Sequence, residues 1–190
     1  MLDVALKEWA VVCELLLEGE LTVLLRKGGI HERGGAGVFE LEHPRFVLFP
    51  AWLHQVPNRM KPRHRQRVER FRQEPAQVTL RGVGEVDNIW PVPSREAFDE
   101  LDDLHCWSRP QIDMRFRYKP DRPLYLMAVR MHRLKEPKTV VNREAYAGCR
   151  SWVPLAAEDA VDERDMEPVL AAEVFAWVVD RISRTFGAEV

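Results

Sequence analysis

The chain has 190 residues, 46% of them hydrophobic and 31% charged, with a formal net charge of -2. That length fits one domain over residues 1–190, large enough to bury a core without disulfides or metal, and the composition excludes a disordered chain. The near-neutral total excludes whole-molecule attraction to nucleic acid or to an anionic membrane, so local clusters of charge carry the information.

Cys13, Cys106 and Cys149 are three in number, far apart and without CxxC spacing, which argues against a disulfide framework or a zinc knuckle. The first 19 residues carry Asp3, Lys7, Glu8 and Glu14 and lack the basic start and uncharged run of a signal peptide. No stretch reaches the roughly 18 apolar residues that cross a bilayer. A cytoplasmic protein away from the membrane is the expectation, and neither cofactor nor metal is called for.

In chain order, residues 3–18 read as a helix: Asp3 is the cap, apolar residues recur at helical spacing and Gly19 ends it. Residues 21–26 (LTVLLR) are a β-prone run for a strand buried on both faces. The next segment, KGGIHERGGAG, holds five glycines and is a loop. Two short strands follow at 38–41 and 45–49, with Pro50 closing the second.

Residues 57–75 carry Arg59, Lys61, Arg63, Arg65, Arg67, Arg70 and Arg72 against Glu69 and Glu74. From Pro62 to before Pro75 this reads as a solvated basic helix. Residues 77–90 alternate as a strand, with Gly82 and Gly84 marking a bulge. Ser94 caps a helix to about Leu104. Strands are expected at 114–118, at 124–134 and, after Pro137, at 138–141. An acidic connector fills 156–167, and 168–186 is a terminal helix with Leu170, Val174, Trp177, Val178, Ile182 and Phe186 as its apolar stripe. Helices and strands do not alternate regularly, which predicts an α+β fold with a mainly antiparallel or barrel-like sheet.

The candidate ligand site begins at the strand-to-loop junction. Arg26 and Lys27 precede Gly28, Gly29 and His31, and cations beside glycine-freed backbone N–H groups suit an anion. The GxxxxGK[ST] order of a P-loop is absent. His43, Arg45, His54 and Gln55 add donors and acceptors for a polar cleft, and Trp107 or Trp152 could stack on a planar ligand. Arg63, Arg65, Arg67 and Arg70 of the basic run could neutralise phosphates, or pair with the chain's own acidic connector. Glu40, Glu42 and His43 suggest a rival, a divalent ion held for nuclease chemistry with Lys27 assisting. The lysine partner two residues from the acid pair is missing. A third reading is a non-catalytic module whose basic helix docks an acidic protein. No GxSxG elbow is present.

The segments ALKEWAVVCELLLEGELTVLLRKGGIHE, FELEHPRFVLFPAWLHQ and LYLMAVRMHRL, followed by YAGCRSWVPL, resemble the bacterial family catalogued as domain of unknown function 1802, over roughly residues 5–155. That family has no established activity. More distantly, Trp9, Gly19 and Thr22–Arg26, with Glu136-Pro137 and Gly148–Trp152 near the end, resemble ASCH domains of the PUA-like superfamily. The resemblance implies a small β-barrel with flanking helices and a cleft for RNA, a nucleotide or a modified base. Leu21 and Leu24 stand where the ASCH motif GxKxxExR has lysine and glutamate, so the resemblance implies binding rather than hydrolysis.

Overall fold

The computed structural model describes residues 1–27, 41–148 and 151–187. The first element is a strand, β1 (Val4–Trp9), running straight into helix α1 (Ala10–Glu18). The expected helix over 3–18 is therefore corrected at its first half. β1 lies inside the sheet, parallel to β3 (Arg45–Ala51) and antiparallel to β6 (Trp152–Pro154). Ala5 enters one apolar cluster and Leu6 the other. Burial on both faces removes the polar alternation that marks a strand, so VALKEW has no diagnostic period. Gly19 closes α1 at φ 77°, in the left-handed region open to glycine.

β2 (Val23–Arg26) falls within the expected 21–26, and β3 continues through Pro50, which pairs with Glu8. The expected strand at 38–41 lies outside the described residues except Leu41, which is not in a strand. β4 (Gln77–Pro91) and β5 (Tyr125–Val141) are the longest strands and pair along most of their length, with register shifts at Leu80/Gly82 and Val86/Asn88. The strands expected at 124–134 and 138–141 are thus one.

The sheet runs β2-β5-β4-β3-β1-β6, and β7 (Met166–Pro168) also pairs with β5. Among the described residues, all strand pairings but β1–β3 are antiparallel. No pairing among the described residues joins β6 to β2 or β7. The fold is α+β with an open sheet, and the closed barrel of the sequence expectation is not seen.

The basic run gives two single turns of 3-10 helix, Pro57–Arg59 and Pro62–His64, and only five helical residues in α2 (Arg65–Glu69). Ser94 caps α3 (Arg95–Asp99), its Oγ accepting from Ala97 N at 3.1 Å. The strand expected at 114–118 falls instead on the second half of α4 (Arg109–Arg117) and its flanking Tyr118; the helix follows Ser108 and has Pro110 in its first turn. α5 (Ala172–Phe186) starts four residues later than expected. Phe175, Val178 and Ile182 face the core, while Val174 and Trp177 face outward.

Both sheet faces are covered. One cluster packs α1, β2 and the inner half of α5 around Leu6, Leu24, Phe46 and Trp90. The other gathers Ala5, Val47, Phe49, Val83, Tyr146 and Val153. No described helix is long and apolar enough to cross a membrane.

Candidate functional site

The C-terminal end of β1, where it meets α1, and the end of β2 are faced by α4 and the turn that follows it. Between them lies a cleft of about 530 Å³, within the size range of small-molecule sites. Five cationic side chains line it: Lys7, Lys27, Arg115, Lys119 and Arg122. Glu8 and Glu74 are its carboxylates, His54 adds an imidazole, and Trp9, Trp52, Leu53 and Tyr118 supply apolar wall.

The cations are held in different ways. Lys7 Nζ donates to the carbonyls of Tyr146 at 2.6 Å and Gly148 at 3.1 Å. Lys27 is only 7% exposed and donates to Phe116 O at 2.8 Å. Its burial, and then the Arg115 guanidinium, hold its pKa below the ordinary lysine value. Arg115 is likewise pushed down, by burial first and then by Arg26. Arg26 donates to Glu8 Oε2 at 2.6 Å, while its Nε and Nη2 are buried without hydrogen-bond partners. One carboxylate, Glu8, therefore serves a cluster of mutually repelling cations, and its other oxygen accepts from Trp9 N at 3.0 Å. Such a cluster is relieved by a bound anion.

The backbone adds a second signal. Among the described residues two non-glycines have positive φ, His54 at 65° and Lys119 at 44°, and both line this cleft. Left-handed backbone at such residues is unfavourable and is found where surrounding structure imposes it, often at functional sites.

Of the residues singled out from sequence, Lys27 and His54 meet in this cleft, and Arg26 adjoins it through Glu8. Gly28, Gly29, His31 and Glu40 lie outside the described residues. Gln55 is structural: its Oε1 accepts from Val11 N at 3.0 Å, and its Nε2 donates to Trp52 O and Phe71 O. His43 lies apart, edge-on to the Trp152 ring at 5.0 Å and 3.6 Å from Glu42. Arg45 pairs with Glu163 at 2.9 Å. Trp107 and Trp152 belong to the core, 6% and 9% exposed. Their faces are covered by protein, so Trp9, Trp52 and Tyr118 are the aromatic side chains lining the cleft.

The basic run is answered largely within the protein, though not by the acidic connector. Arg67 pairs with Glu18 and Glu20, and Arg70 with Glu14 at 2.8 Å. Arg63 donates to His64 and Arg65 to Met60 O. The connector's Glu158 and Asp159 pair with Arg143, and Asp162 with Arg164. Among the described residues no three His, Cys, Asp or Glu side chains are grouped to hold a metal ion. The Cys13 and Cys106 thiols are buried, and burial raises both pKa values, which disfavours a reactive thiolate.

Sequence reasoning missed Arg115, Lys119 and Arg122. Arg115 sits in the segment read as a strand and falls instead in α4, while Lys119 and Arg122 follow in the turn after that helix, and this placement rather than composition brings them to the cleft with Lys27 and His54.

The fold and cleft define an α+β protein with an open, mainly antiparallel sheet and a cation-lined polar cleft. The family model described as domain of unknown function (DUF1802) matches residues 5–181, and the chain belongs to that family. Neither the curated proteins nor the solved structures gave a match.

Proposed function

We propose that this protein binds a phosphate-bearing ligand, a nucleotide or a nucleic-acid strand, in the cleft between β1, β2 and α4. The observation that carries this is the charge of the lining: five lysines and arginines against Glu8 and Glu74. Phosphate oxygens would take the place of missing carboxylates near Arg115 and Lys119. Trp52 and Tyr118 offer stacking surface for a base, as sites for single strands combine cations with aromatic rings. The likeness of Trp9, Gly19 and Arg26 to the opening of ASCH domains supports the same reading in sequence, with Trp9 here ending β1 where those domains carry it on a helix. Leu21 and Leu24 stand where the ASCH motif has lysine and glutamate, which favours binding over hydrolysis.

The test is a titration of labelled single-stranded RNA and DNA, and of AMP against adenosine, at two salt concentrations. Saturable binding that weakens with salt is expected. An Arg115→Gln, Lys119→Gln double variant should lose at least ~10-fold in affinity, about the worth of one charge-assisted hydrogen bond. Equal affinity of the variant, or equal binding of AMP and adenosine, would sink the proposal.

A further inference from the structure

A second cavity, larger than the cleft at about 600 Å³, lies on the other side of Trp52, between α1 and the outer half of the β4–β5 ribbon. Its wall is mostly apolar: Leu17, Leu48, Trp52, Phe71, Leu134 and Pro137. The bulge between Leu80 and Gly82 lets the ribbon and α1 come together at one end. A Cβ at Gly82 would lie 2.5 Å from Leu17 Cδ2 and 2.7 Å from His132 O, so a side chain there would force the two apart.

The charges of this groove are unequal in kind. Glu14 and Glu18, on α1, are engaged by Arg70 and Arg67 of the α2 segment. The side chains of Arg81 and Arg133, on the ribbon, make no ion pair or hydrogen bond with the described residues, with Glu167 standing opposite Arg133 in the β5–β7 register. An apolar trough with one uncompensated cationic rim is complementary to a molecule with an apolar body and one anionic end. A neutral apolar molecule would leave the arginines unanswered, and a compact polyanion would leave the apolar wall uncovered.

We infer that this groove is a binding site for an apolar organic anion, an aliphatic or aromatic carboxylate, with its body against Trp52, Phe71 and Leu134 and its carboxylate toward Arg81 and Arg133. The site is separate from the cationic cleft and stands whether or not the cleft binds phosphate.

The experiment measures decanoate and decanol binding to the full chain by calorimetry, with displacement of 8-anilinonaphthalene-1-sulfonate as a second readout. Decanoate is expected to bind at one saturable site and displace the dye, with decanol at least ~10-fold weaker. An Arg81→Gln, Arg133→Gln variant should lose decanoate affinity by a similar factor while keeping its thermal midpoint, because both side chains are exposed and unpaired. A Thr79→Trp variant, which fills the groove, should abolish binding. The Arg115→Gln, Lys119→Gln cleft variant should bind decanoate like the wild type. Equal affinity for decanoate and decanol, or loss of decanoate only in the cleft variant, would overturn the assignment. So would the absence of saturable binding. If the arginine variant misfolds, the decanoate-to-decanol ratio of the wild type decides alone.

Discussion

His105 is 2% exposed and stacked on the Phe98 ring at 4.8 Å; neither ring nitrogen makes a hydrogen bond, although Nε2 lies 3.4 Å from Asp102 Oδ1. Burial, and then the Lys61 ammonium, push its pKa down from 6.5 to about 4 against the weaker pull of Asp102 and Asp99. The imidazole is therefore neutral in the folded protein at pH 7. As pH falls below 6.5 the unfolded chain takes the proton first, so stability declines between pH 6.5 and pH 4 and this contribution levels off below that. The shift corresponds to about 3 kcal/mol in full, of which about 2 kcal/mol is lost between pH 7 and pH 5. A His105→Phe variant keeps the ring stack and removes the unsatisfied nitrogens. Urea unfolding at both pH values should show it no less stable than wild type at pH 7, with a pH 7-to-5 loss about 2 kcal/mol smaller. An unchanged pH dependence would show that His105 is not buried in neutral form.

At the scale of elements, the basic segment is where sequence and structure differ most in meaning. Seven cations against Glu69 and Glu74 look like a phosphate-binding face when read along the chain. In space, α1 presents Glu14 and Glu18, and Glu20 follows it, so the charges of Arg67 and Arg70 hold two neighbouring elements together. Spacing along one element cannot reveal charge on another. Replacing both arginines by glutamine should lower stability by about 1 kcal/mol, since the pairs are partly exposed and solvent screens them, while cleft affinity stays within about two-fold. A large loss of nucleic-acid binding with unchanged stability would return the phosphate role to this segment. The same reasoning explains which elements were legible. β4, most of β5 and the Ser94 cap were legible because alternation and capping are local signals. β1 and α4 were misread because a strand buried on both faces and a helix rich in arginine each lack the period that betrays them.

For the whole molecule, the α+β class and the predominance of antiparallel pairing were legible in the order of elements, but the site was legible only in part. Lys27 and His54 were visible as candidates because they flank glycine and aromatic runs. Their partners Arg115 and Lys119 are some 60 to 90 residues distant in sequence, and only the packing of α4 brings them in. That arrangement leaves the fold holding like charges together, with Lys27 and Arg115 each destabilised in its charged form by burial and by neighbouring cations. An anion that binds the cleft should therefore stabilise the whole fold by mass action: at ten times its Kd, about 1.4 kcal/mol, or a rise in thermal midpoint of roughly 3 °C for a chain of this size. Salts such as sulfate raise midpoints generally by exclusion from protein surface, so the comparison has to be AMP against adenosine at matched ionic strength. AMP should raise the midpoint of the wild type, adenosine should not, and the Arg115→Gln, Lys119→Gln variant should respond to neither. The unliganded variant should melt no lower than wild type, because relief of the repulsion among the cations balances the weaker packing around two shortened side chains. A variant that melts well below wild type would mean these cations serve the fold rather than a ligand.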